Sequence, residues 1–346
     1  MKKFLFVLIT SAIITVSVTG CGNKNTLTLY TWDEMFPRDI LNIFERETGI
    51  KINYVIFDTN ETMLANLQSS KGAGYDLVIA DDYIIETAVA QGLAQKLDKT
   101  KLPNYKNINP VYQKQFYDPK DEYTVPYGAG ILTIVYDPKR VNINIMGYYD
   151  LWNPALSNSL GIIANYRVIN GLALKVLSES YNTNNISSIR DAGELLLLLA
   201  PNVRFIQDDY LEDKLISGEI SAAIMYTSQV TRAKMTNPGL KIVFPEEGIG
   251  FGIMAGFIPS KAVNPEAAHT FLNFIMDAIR GASCFEYIGY YSTYLASDLL
   301  IAPEYKEFLT LPEGFNVNME MIKSISAEAE QEHNLIWTAF KKAAGQ

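Results

Sequence analysis

The chain alternates between short β-rich runs and segments whose apolar residues recur at helical spacing. Residues 26–30 (TLTLY) predict a strand, and the spacing of 37–47 predicts a helix that Gly49 ends. The alternation continues with a strand at 51–57, a helix at 61–68, a strand at 75–80 and a helix at 82–90. Such β-α-β units predict an α/β fold with a mostly parallel sheet and helices on both faces.

The pattern changes near the middle of the chain. Residues 123–137 (YTVPYGAGILTIVYD) are β-rich but interrupted by Pro126, Gly128 and Gly130, as expected where a strand crosses between two lobes. A second α/β region follows, with strands at 160–164 and 222–226, helices at 171–180 and 194–199, another crossing strand at 249–259, and helices at 265–279 and 320–342. Because 346 residues exceed what one core usually holds, we expect two lobes joined by the crossing strands. Their expected ranges are 26–129 with 255–300 and 130–254 with 301–346.

The N-terminus carries the features of an export signal. Lys2 and Lys3 precede an apolar segment at 4–18, which is too short for a confident membrane span. The VTGC sequence that ends at Cys21 resembles the bacterial lipobox, which implies a signal peptide at 1–20 and a lipidated tether at 21–25. We therefore expect a periplasmic or cell-surface protein held to the membrane only by a lipid on Cys21. An ordinary signal peptide or a membrane anchor is the alternative.

Composition narrows the classes of ligand. With 2 Cys and 2 His, the chain has almost no ligands for a structural zinc site, and lipidation of Cys21 leaves Cys284 without a disulfide partner. We expect Cys284 to be a small buried hydrophobe, and we expect no metal and no cofactor. The net charge of −9 argues against nucleic acid and suits a cationic ligand. An aromatic content of 12% suits a site that stacks rings on its ligand.

The sequence lacks the usual catalytic patterns. Neither a GxSxG turn nor a GxxxxGK[ST] loop occurs, and no nucleophile is placed with a base. His269 and His333 fall in helical segments, where a satisfied or surface histidine is expected. The sequence therefore predicts a binding protein and not an enzyme.

Aromatic and acidic residues coincide at the ends of two predicted strands. Trp32, Asp33 and Glu34 follow the first strand, and Asp81, Asp82 and Tyr83 follow the strand at 75–80. Ligands of α/β sheets bind at the carboxyl ends of strands. Aromatic rings hold methylenes and attract ammonium groups, and carboxylates give charge-assisted hydrogen bonds, so this pattern suits an aliphatic amine. The alternative is that Asp33 and Asp82 cap helices and that the rings belong to the core.

Many ordered segments resemble the periplasmic spermidine/putrescine-binding family. They run from Thr26 to the C-terminus and include LYTWDEMFP, FERETGIKINY, NETMLANL, YDLVIADDY, YTVPYGAGILTIVYD, DLWNP, IGY and IWTAFK. The resemblance implies two α/β lobes of the periplasmic-binding-protein fold, joined by crossing strands, that close on a polyamine. It also implies the solute-binding component of an ABC importer, a monomer that works with permease and ATPase subunits.

Site residues follow from the same resemblance. Matches to family positions that contact ligand are found at Trp32, Glu34, Tyr83, Tyr226 and Tyr290, and Asp81 falls where a small hydroxyl residue is common. The resemblance therefore implies an aromatic wall with Glu34 as one anchor for an ammonium group.

The chain departs from the family where the second lobe usually supplies acids. Those positions read Asn165 and Val168, and an aspartate usual after the late crossing strand reads Met254. Either Asp33, Asp81 and Asp82 replace the missing charges, with Asp208 or Asp209 contributing, or the ligand is a different small molecule. A subunit that senses polyamine is a further alternative to an importer receptor.

Overall fold

A computed structural model describes residues 25–309 and 318–346; Cys21 and the expected signal peptide lie outside this range. Strands of the described residues, β1 to β11, are Thr26–Thr31, Lys51–Ile56, Leu77–Asp81, Thr124–Tyr136, Leu160–Ile162, Val203–Ile206, Ala222–Tyr226, Lys241–Val243, Ile249–Phe257, Tyr291–Ser292 and Met319–Met321.

Helices α1 to α12 are Arg38–Thr48, Asn60–Ser70, Asp82–Ala90, Tyr166–Val176, Ile186–Leu197, Leu211–Ser217, Thr227–Thr236, Pro265–Ile275, Ala278–Ile288, Leu295–Asp298, Pro303–Leu309 and Ala327–Ala343. Short 3₁₀ turns connect several of them. As predicted, α1 ends at Gly49, whose φ of 71° lies in the left-handed region that glycine adopts without steric cost.

Two parallel sheets are joined by two antiparallel crossing strands. The strand order is β2-β1-β3-β9-β4-β7-β5-β6. Strand β1 pairs in parallel with β2 and β3, and β5 pairs in parallel with β6 and β7. Between these sheets, β9 and β4 run antiparallel to each other and to their outer neighbours. The first half of β4 pairs with β9 and its second half pairs with β7, so this strand passes from one lobe to the other, as predicted.

Each lobe has its own apolar core. In the first lobe, α1, α8 and α9 cover one face of the sheet with Phe44, Phe271 and Phe285, and α2 and α3 cover the other. In the second lobe, α4, α5 and α12 pack around β5 and β7. Cys284 is fully buried in the first-lobe core, and burial raises the pKa of its thiol to about 12. The thiol is therefore the buried apolar group that the sequence predicted.

The C-terminal segment is divided between the lobes. Buried Phe308 of α11 packs into the first-lobe core, although the sequence assigned 301–346 to the second lobe. The helix predicted at 320–342 begins only at Ala327, where the Ser326 side chain accepts a hydrogen bond from Ala329 N at 3.2 Å. Strand β11 precedes it and pairs in parallel with β9, and Glu320 of this strand is ion-paired at 2.5 Å with the buried Lys175 of α4.

Candidate functional site

The turn after β1 is held by a tyrosine from the neighbouring strand. The Tyr54 hydroxyl donates to Trp32 O at 2.8 Å and accepts from Met35 N at 3.1 Å. The half-buried Trp32 ring packs against Phe57, with ring centroids 4.5 Å apart. One side of the indole is thus fixed by the protein, and the ring stands at the carboxyl end of β1, where the sequence predicted it.

The two acids of this turn are exposed. Asp33 Oδ1 accepts from Glu34 N at 2.9 Å, and Glu34 has a φ of 53°, in the left-handed region that side chains larger than glycine adopt at a cost. The Glu34 carboxylate makes no hydrogen bond or ion pair with any residue that the structure describes. Burial raises the pKa of Tyr54, and the negative charges of Asp33 and Glu34 raise it further. The turn therefore presents a free carboxylate on a fixed backbone.

After β3, the neighbouring acids Asp81 and Asp82 have different surroundings. Asp82 is 3% exposed; its Oδ1 accepts from Tyr83 N at 2.7 Å and its Oδ2 from Ile253 N at 2.8 Å. Burial raises the pKa of Asp82 to about 8, against the lowering effect of the two N–H donors. This side chain joins the start of α3 to the crossing strand β9.

Asp81 is half-buried and belongs to a polar network with the start of α2. Its Oδ2 accepts from Asn60 Nδ2 at 2.7 Å, and the same amide donates to the Tyr83 hydroxyl at 3.0 Å. That hydroxyl donates to Glu61 Oε1 at 3.1 Å. Burial raises the pKa of Asp81, and the Glu61 charge adds to the shift. The second oxygen of Asp81 makes no hydrogen bond with the described residues.

The second lobe contributes an amide and a phenol. Asn165 Oδ1 caps α4 by accepting from Val168 N at 3.2 Å, and its Nδ2 donates to the Tyr226 hydroxyl at 3.1 Å. Close by, Asp208 Oδ1 accepts from Ala164 N at 2.9 Å. The amide at 165 therefore acts as a cap and positions the half-buried Tyr226 ring.

Tyr290 lies where the lobes meet. Its ring covers Gly130 of β4, and a Cβ at this glycine would come within 2.5 Å of the ring. Burial raises the pKa of Tyr290 to about 12, and the Asp81 charge adds to it. Any larger residue at 130 would displace the ring, so the glycine that interrupts the crossing strand has a direct role in placing Tyr290.

The strand registers put three of these side chains on one face of the sheet. Asp81 pairs with Met254, and Met254 pairs with Gly128. Opposed residues of antiparallel strands share a face, as do residues two apart along a strand, so Gly130, beneath Tyr290, belongs to the same face. Leu132 continues that face and pairs with Tyr226. Asp81, Tyr290 and Tyr226 therefore lie on one face of the sheet at the junction of the lobes.

The predicted residues thus form two groups. Asp81 and Tyr83 share one network and Asn165 bonds to Tyr226, but the described residues show no hydrogen bond or ion pair that joins Glu34 to either group. Asn60 and Glu61 were missed as site residues. A signal was present, because they begin α2, which follows β2 after three residues and so starts near another strand end.

The described residues contain no group of three or more His, Cys, Asp or Glu side chains placed to hold a metal ion. His269 is satisfied: its Nε2 accepts from Asp98 N at 2.9 Å and its Nδ1 lies 2.7 Å from Pro265 O. His333 is buried, and burial lowers its pKa to about 4. Among the helices of the described residues, none combines the length and apolarity needed to cross a membrane.

Comparison with known proteins identifies the family. The family described as bacterial extracellular solute-binding protein matches residues 73–315, which is more than half of the chain. The chain belongs to this family. This solute-binding protein is 33% identical over 294 residues to the spermidine/putrescine-binding periplasmic protein of Salmonella typhimurium, over 84% of this chain and 83% of the relative. It is 27% identical to the putrescine-binding periplasmic protein PotF of Escherichia coli, over 98% of both chains.

The fold of the solute-binding protein is also shared with solved structures. The spermidine/putrescine ABC transporter substrate-binding protein PotD of Streptococcus pneumoniae superposes with a TM-score of 0.82 at 26% identity, over 92% of this chain and 99% of that one. These findings confirm the family resemblance, the two-lobed fold and the extracytoplasmic location. Membership of a family of binding proteins also confirms the prediction that the chain is not an enzyme.

Proposed function

We propose that this solute-binding protein is the polyamine receptor of an ABC importer and binds putrescine or spermidine between its lobes. The observation that carries the proposal is the shared face of Asp81, Tyr290 and Tyr226, where a carboxylate with a free oxygen stands beside two aromatic rings. Carboxylates and ring faces are the groups that an alkylammonium ion prefers. The names of the relatives, which are receptors for spermidine and putrescine, support the same ligand class.

Each site residue has a proposed role. The rings of Trp32, Tyr83, Tyr226 and Tyr290 pack on the methylenes and ammonium groups, and Glu34 and Asp81 provide negative charge. Asp33 and Asp82 act indirectly, since each bonds to a backbone N–H and holds a neighbour in place. Asn165 positions Tyr226 from the second lobe.

The receptor is proposed to act at the membrane surface as a monomer. Lipid on Cys21 would hold it there, and ABC permease and ATPase subunits would be its partners. The VTGC sequence supports the anchor, and mass spectrometry of the native protein tests it. We expect a mature N-terminus at Cys21 with a lipid mass; an unmodified Cys21 would reject the anchor and leave the ligand proposal untouched.

Calorimetric titration of the purified protein tests the ligand. Putrescine and spermidine should bind, n-butylamine should bind more weakly because it has one charge, and 1,4-butanediol, an uncharged diol of similar length, should not bind. Affinity for putrescine should fall as salt is added, because the attraction is electrostatic. A protein that gives no binding signal with any polyamine would disprove the ligand, and its family membership would stand.

Closure of the lobes is the proposed response to ligand. Two glycine-containing strands, β4 and β9, connect the lobes, and β4 has a register shift between Pro126 and Gly128. Small dihedral changes at such positions allow rigid-body motion. Small-angle scattering should show a smaller radius of gyration with saturating putrescine, and identical profiles with and without ligand would contradict this.

A further inference from the structure

Asp208 belongs to the second lobe, where two hydrogen bonds hold it in place. It follows β6, and its Oδ1 accepts from Ala164 N, at the end of β5, at 2.9 Å. Its main-chain oxygen accepts from Gln229 Nε2 of α7 at 2.7 Å. These bonds tie Asp208 to the end of β5 and to α7, and the bond from Ala164 N orients its carboxylate.

The other oxygen of this carboxylate has no partner. Within residues 25–309 and 318–346, Asp208 Oδ2 makes no hydrogen bond, and no lysine or arginine forms an ion pair with Asp208 or with Asp81 on the opposite lobe. Asp208 is an exposed residue, but partial removal of its carboxyl group from water raises its pKa. Each lobe thus presents a carboxylate whose charge the protein leaves unmatched, which costs free energy that a cation recovers.

Both carboxylates act on the same phenol. Ala164, which binds Asp208, immediately precedes Asn165, and Asn165 Nδ2 donates to the Tyr226 hydroxyl at 3.1 Å. Asp81 of the first lobe lies on the same face of the sheet as Tyr290 and Tyr226. Burial raises the pKa of Tyr226, and the charges of Asp208 and Asp81 both add to the shift. The Tyr226 phenol is therefore close to one acid from each lobe.

We propose that Asp208 is the second-lobe anchor of the ligand, that Asp81 is the first-lobe anchor, and that the preferred ligand is a linear primary diamine with one ammonium group on each. This rests on the polyamine-binding function proposed above and adds the residue that sets ligand length. Two fixed acids on opposite lobes define one separation of positive charges. A dication of that length neutralises both acids and draws the lobes together, whereas a monoamine leaves one acid unmatched.

Neighbouring residues provide the test and its matched control. Asp208→Asn removes the proposed anchor, and Asp209→Asn makes the same charge change one residue away, at an exposed side chain. Calorimetric titration of the whole protein and both variants would use 1,3-diaminopropane, putrescine, cadaverine and n-butylamine. Loss of a charge-assisted hydrogen bond should weaken binding of the best diamine about 10- to 100-fold in Asp208→Asn. Asp209→Asn should change affinity less than about threefold, since Asp209 is exposed and, unlike Asp208, is not among the charges that raise the pKa of Tyr226.

The decisive readout is the ratio between diamine and monoamine affinities. In the parent this ratio should be large and should depend on diamine length; in Asp208→Asn it should collapse, because both classes then meet one strong anchor. Asp208→Glu, which keeps the charge, should retain the ratio and move the preferred length, and it serves as the test if Asp208→Asn does not fold. A parent that binds putrescine while Asp208→Asn keeps the same affinity and the same ratio would overturn the anchor and leave the polyamine function standing. A parent that ignores every amine would instead overturn the function.

Discussion

The ends of β1 and β3 look alike in the sequence and differ in the structure. Each has an aromatic residue beside two acids, Trp32 with Asp33 and Glu34 and Tyr83 with Asp81 and Asp82. At the end of β1 both acids are exposed, and the Glu34 carboxylate makes no hydrogen bond or ion pair with the described residues. At the end of β3, Asp82 is buried and accepts hydrogen bonds from two backbone N–H groups, whereas Asp81 accepts one from the Asn60 side chain. Sequence pattern therefore finds the site, while burial decides what each acid does.

The strongest test of this difference is Asp81→Asn. The half-buried carboxylate loses its charge but keeps an acceptor, so a ligand ammonium loses a charge-assisted bond, which costs about 1.5–3 kcal/mol. Calorimetry should show putrescine affinity reduced by that amount. An affinity equal to that of the parent would mean that the Asn60 network has a structural role alone.

Substitution of the neighbouring Asp82 should change the stability of the protein and not its affinity for ligand. In Asp82→Asn, one backbone N–H faces an amide N–H₂ in place of an acceptor, which should lower the free energy of unfolding by about 1–3 kcal/mol in urea denaturation. Putrescine affinity should change little. If affinity fell as far as in Asp81→Asn with stability intact, the distinction between the two acids would be lost.

The contribution of Asp82 to folding stability should also depend on pH. Its pKa is raised from 3.8 to about 8 in the folded protein, so between these values the folded state binds more protons than the unfolded chain. The contribution of Asp82 to stability is therefore fully present below about pH 3.8 and is lost as pH rises through about 8. Thermal unfolding across this window should show a shallower decline for Asp82→Asn than for the parent; parallel curves would contradict the raised pKa.

Binding should have the opposite pH dependence. Asp81 and Asp208 both have raised pKa values, and a ligand dication binds their ionised forms. Affinity should therefore fall as pH is lowered, beginning above the range of an ordinary aspartate, and binding should release protons. Titrations in buffers with different ionisation enthalpies measure that release, and heats that do not depend on the buffer would count against it.

At the end of β1 the expected effects are smaller. Trp32→Phe should remove the fluorescence change that ligand causes, because Trp152 and Trp337 lie in the second lobe away from the cleft. Trp32→Ala should reduce affinity by about 0.5–2 kcal/mol through the lost cation–π contact. A Trp32→Phe variant with an unchanged fluorescence response would place the indole outside the binding site.

Glu34→Gln should have the smallest effect. An exposed charge contributes about 0.2–1 kcal/mol and is screened by salt. The loss of affinity should be measurable at low ionic strength and absent at high ionic strength. A loss as large and as salt-resistant as that of Asp81→Asn would show that closure buries Glu34 against the ligand, and the two strand ends would then be equivalent.

The sequence predicted most elements of the first lobe because each strand and helix there carries its own period and stop signal. The end of α1 at Gly49 is one such case. Prediction was weaker where tertiary pairing decides: Glu320 and Met321 were predicted to begin the helix at 320–342, but they belong to β11, which pairs in parallel with β9. The different environments of Asp81 and Asp82 could not be predicted from the sequence either. They depend on the hydrogen bond from Ile253 N to Asp82, and these two residues are 171 positions apart.

The buried thiol of Cys284 makes this protein convenient as an optical sensor. Its pKa of about 12 leaves almost no thiolate near neutral pH, and the thiolate is the form that attacks maleimide dyes. In a chain that starts after Cys21, a cysteine placed at Ser228, next to Gly289 and the Tyr290 ring, would be the one thiol that labels readily. A polarity-sensitive dye at that position would convert amine binding into a change of colour or brightness, with Cys284 left in place.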